Sequence, residues 1–159
     1  MKAVAVDLDA VLGDTRPLWR EFLIDAARRY ASIAPLDVDR LPSDRGEAAA
    51  ALDEWAAHGV GDWRGALARF AEERAPVFLR PNAEANGAVR SLAAGGYRIG
   101  VVTDAPKELA EVVVVHLGLA RHVEILEAPG EKIVVVTSRD ELVRLAASTP
   151  SSRTSSTRR

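Results

Sequence analysis

Two aspartates one residue apart, Asp7 and Asp9, close a short apolar strand from Lys2 to Val6, and they are the side chains best placed to do chemistry. Strand side chains repeat every two residues. Both carboxylates should therefore leave the backbone on one side, at the end where a parallel sheet opens into its ligand crevice. Two carboxylates held so close repel one another and lose hydration. A fold keeps such a pair where a cation sits between them or where their proton affinities must differ. A hard divalent ion such as Mg²⁺ meets the first condition. An exposed acidic turn at a strand end has the same spelling, so the flanking residues must decide.

The elements that would carry this pair can be traced along the chain. Pro17 can open a helix, with Leu18, Trp19, Phe22, Leu23, Ala26 and Tyr30 at helical spacing. A connection containing Pro, Ile33 to Pro42, leads to a second helix near Gly46 to His58, where Asp44 and Glu47 have capping-box spacing. Asp62 can cap a third helix, with Trp63, Leu67 and Phe70 on one face and Pro76 beyond its end. All three tryptophans fall in this block, as expected for the core of a small helical bundle. Helix and strand then alternate. Asn82 caps a helix through Leu92, Gly95 or Gly96 ends it, and Arg98 to Thr103 reads as a buried strand. Asp104 as a cap, Pro106 in the first turn and Gly118 as the stop frame another helix, although the valines at 112 to 115 favour strand. Val123 to Leu126 and Ile133 to Thr137 follow as strands, then a helix from Asp140 to Ala147. The Ser/Thr/Arg-rich tail from Ser148 has nothing to bury and is expected to be disordered.

The segment Asp7-Leu8-Asp9-Ala10-Val11-Leu12-Gly13-Asp14-Thr15 resembles the opening signature of the haloacid dehalogenase-like superfamily, Asp-x-Asp-Gly-Thr-Leu-x-Asp-Ser after an apolar strand. Ala10 replaces the usual Gly, and Val11 the usual Thr. Downstream, Gly95-Gly96-Tyr97-Arg98-Ile99-Gly100-Val101-Val102-Thr103-Asp104 is similar to the second motif of that superfamily, a strand ending in Ser or Thr and commonly followed by Asn. The resemblance, nearest to the phosphoglycolate phosphatase-like group, implies an α/β fold: a small Rossmann-like, mostly parallel core with an inserted helical cap. Residues 1–14 and 77–147 would form the core, 15–76 the cap and 148–159 the tail. It further implies a phosphohydrolase. Asp7 would attack phosphorus and carry an aspartyl-phosphate, Asp9 would act as general acid and base, and Mg²⁺ would neutralise the anions. Thr103 would hydrogen-bond the phosphoryl group, with Asp104, Lys107 and Arg16 facing substrate. Asp9 favours phosphorus over carbon-halogen chemistry, because dehalogenases lack the second acid.

Toward the C-terminus the resemblance weakens. The third motif is a lysine, and the chain offers only Lys2, at the wrong end of its strand, Lys107 and Lys132; Lys132 lies nearer the expected order. The fourth motif normally brings Gly-Asp after an apolar strand, but here Thr137 and Ser138 stand in its place. That leaves Asp140 or Glu141 to join Asp7 and Asp9 at the metal. Only six residues separate Leu126 from Ile133, among them Pro129-Gly130, too few for the helical crossover that parallel neighbours need. An antiparallel hairpin or an irregular docking of one segment is expected instead. Two functions remain open: a Mg²⁺-dependent phosphohydrolase of a small phosphomonoester, and a noncatalytic relative that binds phosphate or a protein partner.

Composition sets the frame for both. At 159 residues with 48% hydrophobic content, the chain can bury a real core but holds at most one domain with an insert. Basic and acidic residues balance at 21 and 23, without a basic stripe before the tail, which argues against nucleic acid and anionic membranes as partners. The absence of cysteine excludes disulfides and thiolate metal sites. The N-terminal Lys2 runs straight into a strand without a signal-like apolar region, so a cytoplasmic monomer or homodimer is expected.

Overall fold

Four parallel strands make the sheet, in the order β3-β2-β1-β4, in a computed structural model that describes residues 2–127, 130 and 133–150. Strand β1 (Lys2–Asp7) lies in the middle, with Val4, Ala5 and Val6 buried. It pairs over its whole length with β2 (Tyr97–Val102), where Asp7 is in register with Val102. The two outer strands, β3 (Val123–Ile125) and β4 (Val135–Val136), are much shorter, and each is parallel to its neighbour.

The two last strands therefore neither form a hairpin nor lie side by side: they flank the sheet from opposite edges. Leu126 fills the space above Gly100, so closely that a Cβ there would meet its Cδ1 at 2.2 Å. Beyond the connection, Val134 hands its carbonyl to the Ala5 N–H at 3.0 Å. Pro129 of the expected turn lies outside the described residues.

Between β1 and the next sheet strand comes the helical insert. Helix α1 (Arg16–Arg29) buries Leu18, Trp19, Phe22, Leu23 and Ala26 on one face, as its spacing predicts. Helix α2 (Arg45–Ala56) starts from Asp44, whose carboxylate accepts the Glu47 N–H, and α3 (Trp63–Phe78) from Asp62, which accepts the Gly65 N–H. Trp19, Phe22, Trp63 and the half-buried Phe70 interlock with ring centroids 5.7 to 6.4 Å apart, and burial of each of the first three is worth roughly 1.5–3 kcal/mol. Trp55 is buried as well, and its Nε1 donates to the Ala34 carbonyl. The tryptophans are thus core. Pro76 does not end α3 but sits in its last turn: the helix flank is exposed there, so water can serve the Glu72 carbonyl that Pro76 leaves without a donor.

Helix α4 (Ala83–Ala94) is capped by Asn82 and closes at Gly95 and Gly96, the latter at a φ of 88° that favours glycine. The valine run proves helical: Val113 and Val114 are buried in α5 (Lys107–His116), because tertiary burial outweighs their strand propensity. Helix α6 (Arg139–Ala147) packs against α4, and Ser148 and Thr149 complete its end by donating to the Leu145 carbonyl. These two tail residues are therefore tied down, against expectation. Among the described residues no helix is long and apolar enough to cross a membrane.

Candidate active site

Asp7 is the last residue of β1, but Asp9 is not part of the strand. Leu8–Leu12 coil into one wide π-helical turn, closed by the Gly13 N–H on the Leu8 carbonyl at 2.9 Å. The turn sinks Leu8, Val11 and Leu12 into the core, and Arg139, the first residue of α6, braces it by donating to the Val11 carbonyl at 2.9 Å. The direction of Asp9 is hence set by a turn and not by strand alternation. Asp7 Oδ1 accepts the Ala10 N–H at 2.9 Å. No hydrogen bond reaches its Oδ2 from the described residues.

Asp9 is fully engaged. Its Oδ1 accepts both the N–H and the hydroxyl of the buried Thr15, at 2.7 and 2.5 Å. Its Oδ2 accepts the Thr103 hydroxyl at 3.1 Å and a guanidinium N–H of Arg45 at 2.5 Å. Thr103 follows directly on Val102, the register partner of Asp7, so β2 delivers its hydroxyl to the same edge of the sheet. The Ala105 N–H bonds back to that hydroxyl and fixes the turn.

Arg45 comes from the first position of α2 and is only 3% exposed. Besides Asp9 it engages Thr15 Oγ1 through Nη1 at 2.6 Å, and Asp104 through Nε at 2.9 Å and Nη2 at 2.7 Å. Asp104 does not cap α5, which starts at Pro106 without a side-chain cap, because Arg45 has captured its carboxylate. Burial pushes the Asp104 carboxyl up, but the hydrogen bonds from Arg45 outweigh this and hold it below the usual aspartate range.

Other expected site residues lie outside this network. Arg16 is exposed, its guanidinium forked onto Asp14, which raises the arginine and lowers the acid. Lys107 is exposed and pairs with Glu111 at 3.7 Å. Lys2 sits at the far end of β1 over the Tyr97 ring. Lys132 lies outside the described residues. Thr137 and Ser138 follow Val136, the register partner of Val6, and so leave β4 at the edge that carries Asp7. Ser138 caps α6 by accepting the Glu141 N–H at 3.2 Å, while Asp140 points its exposed first-turn position to solvent. Asp140 is accordingly not drawn into the shared metal group expected with Asp7 and Asp9: among the described residues, no three acids or histidines are grouped to hold an ion.

Mg²⁺ nevertheless fits a sparse donor set here. Asp7 Oδ2, unengaged among the described residues, is a hard oxygen at the end of β1, and Mg²⁺ needs only one or two protein carboxylates when substrate phosphate and water supply the rest. Arg45 and Thr15 were not singled out from the sequence. Thr15 lies inside the first motif, at its Ser position. For Arg45 the available signal was indirect: Asp104, where Asn is common, adds a charge that some cation has to balance.

With this geometry in view, the model of the haloacid dehalogenase-like hydrolases matches residues 1–146. No curated protein matches the sequence. Among solved structures, a HAD phosphatase from Thermococcus onnurineus is 21% identical, with a TM-score of 0.45, over 89% of this chain and 63% of its own. This chain thus spans less than two thirds of that protein. A beta-phosphoglucomutase candidate from Thermotoga maritima is 20% identical, with a TM-score of 0.47, over 92% of this chain and 82% of its own.

Proposed function

This chain belongs to the haloacid dehalogenase-like hydrolase family, and from that premise we propose that it is a phosphohydrolase acting on a small phosphomonoester through an aspartyl-phosphate on Asp7. The observation that carries the reading is the unengaged Asp7 oxygen at the strand end, beside an Asp9 held by four donors. Asp7 attacks phosphorus, and the leaving oxygen takes a proton from Asp9. Asp9 then removes a proton from water as that water attacks the acyl phosphate, releasing inorganic phosphate and regenerating Asp7. Thr103 donates to a phosphoryl oxygen once its hydroxyl is released from Asp9. Asp7 would hold Mg²⁺, which when bound would supply the positive charge that lets carboxylate and phosphate meet. Residues 15–76 serve as a cap that excludes water, and Arg45 is the point at which the cap meets the acids.

The second reading is a relative that keeps the fold and binds without catalysis. It is favoured by the occupation of Asp9 by Arg45 and by the lack, among the described residues, of a third acid grouped to hold a metal. Hydrolysis of an aryl phosphate with Mg²⁺ separates the two. We expect turnover in the wild type and a loss of several orders of magnitude in Asp7→Asn, because the covalent route disappears. Turnover unchanged by Asp7→Asn refutes the proposed mechanism.

A further inference from the structure

We propose that Arg45 is a counter-ion which the protein supplies to Asp9 and Asp104, and that a divalent cation must displace it from Asp9 before the site can work. The inference rests on the phosphohydrolase reading above, and it concerns the step that precedes chemistry.

The first argument is saturation. Guanidinium has five N–H donors, and four of them are spent within the chain: one on Thr15, one on Asp9 and two on Asp104. A group that is 3% exposed, with four of its five N–H donors paired, offers little to an incoming ligand. Its partners are instead the groups that a cation or a reacting proton would use. An ionised carboxylate has about four lone-pair sites, and all four on Asp9 are taken by Thr15 (twice), Thr103 and Arg45. A proton on Oδ2 for the leaving group and the Arg45 N–H now aimed at that oxygen exclude each other.

The second argument is charge. Arginine stays protonated throughout the accessible pH range, so it cannot yield to a metal by losing its proton. Its positive charge on Asp9 opposes a divalent ion at Asp7, two residues away in the chain, and because Arg45 is buried this repulsion is screened less than between surface charges. Asp104 then couples the side chain to the insert, because it also holds the main-chain N–H of Arg45 at 3.1 Å. Displacing the guanidinium loosens the start of α2 from the core. The observed arrangement is a self-locked state, and metal affinity reports how firmly it is locked.

Calorimetric titration with Mg²⁺ tests this without reference to turnover. Arg45→Met and Arg45→Gln remove the charge and should bind Mg²⁺ about tenfold tighter than wild type, or more. Arg45→Lys keeps the charge and should stay within about threefold of wild type. Neutral variants that bind no tighter, or a lysine variant as tight as the methionine one, overturn the proposal. Circular dichroism establishes that each variant is folded. Should neither neutral variant fold, the wild type still decides: exchange of the Arg45 Nε–H with solvent, followed by NMR, must speed up as Mg²⁺ is added, and an unaltered rate overturns the proposal. Aryl-phosphate turnover that survives Asp7→Asn would withdraw the assigned mechanism while leaving these titrations to stand or fall alone.

Discussion

The Asp104 carboxylate grips Arg45 twice over: Oδ2 accepts the main-chain N–H at 3.1 Å, and Oδ1 accepts Nε–H and Nη2–H at 2.9 and 2.7 Å. One acid thereby holds both the first N–H of α2 and the side chain that this helix inserts among the carboxylates. The first N–H groups of a helix have no partner within it and carry the positive end of its dipole, so an acid here is favoured by hydrogen bonding and by field. Because the turn after β2 carries Asp104, the insert is anchored to the same edge that presents Thr103.

Asp104→Asn should therefore make stability less dependent on acid. The folded-state pKa of Asp104 is lowered from 3.8, so its contribution is complete above the unfolded value and is lost as pH falls through the folded one. The side chain is 43% exposed, which limits the neutral-pH cost of the substitution to about 1 kcal/mol. Thermal melts should show wild type more stable at about pH 7 and the gap narrowing below about pH 4. A gap of constant size across that range would refute the assignment.

Thr15→Val tests the other side of Asp9. The substitution keeps the shape but removes a hydroxyl that donates to Asp9 and accepts from Arg45 in a fully buried position. Leaving both partners short of a bond should cost about 1–3 kcal/mol in urea unfolding. Turnover should fall roughly 10- to 100-fold with little change in KM, because a misplaced acid slows proton transfer more than it weakens binding. Thr15→Ser restores the hydroxyl and should recover most of the rate. Equal kinetics for Val and Ser would mean that the hydroxyl does not position Asp9.

What could be read in the sequence was local. Trp19, Phe22 and Trp63 announce a packed helical face by spacing, and Asp44, Asp62 and Asn82 announce helix starts by type; all do as expected. Asp7 and Thr103 were placed at strand ends correctly because each closes an apolar run. The misses involve partners distant in the chain. Nothing around Arg45 tells that it meets an acid 59 residues away, since Asp44 and Glu47 account for the helix start without it. Likewise, the run Ile133 to Thr137 reads as a strand, but only the central position of β1 decides that β4 pairs there and not with β3. Asp9 fell to a π-helical turn, which has no signature of its own in so short a segment.

Gly100→Ala probes the seat of Leu126 on β2. An added Cβ would lie 2.2 Å from Leu126 Cδ1 and 2.7 Å from Cγ, so more than the tip of the leucine must move. Overpacking of this kind costs about 1–3 kcal/mol, partly offset by the roughly 0.5–1 kcal/mol that alanine gains over glycine in a strand. A net loss of about 1 kcal/mol is expected in urea unfolding. Leu126→Ala in the same chain should relieve the clash, so the double variant should be more stable than the two single losses add to. Strict additivity would show that Leu126 does not seat on Gly100.

Ser138→Asp addresses the shortage of acids at the metal. Ser138 leaves β4 at the edge where Asp7 leaves β1, and it is the N-cap of α6 through the Glu141 N–H. Aspartate caps helices as well as serine does, and a negative charge suits a helix start, so the substitution should leave stability within about 0.5 kcal/mol. It adds a carboxylate beside Asp7, where the described residues provide no third acid. Mg²⁺ takes its protein ligands from carboxylates, so the variant should need less metal for half-maximal aryl-phosphate hydrolysis and turn over faster at low Mg²⁺. Asp140→Ala serves as the comparison: Asp140 is exposed in the first turn of α6, and among the described residues it forms no metal-holding group with two other acids, so its removal should leave the metal requirement unchanged. A metal curve that shifts in Asp140→Ala but not in Ser138→Asp would place the missing ligand on α6 instead of at the end of β4.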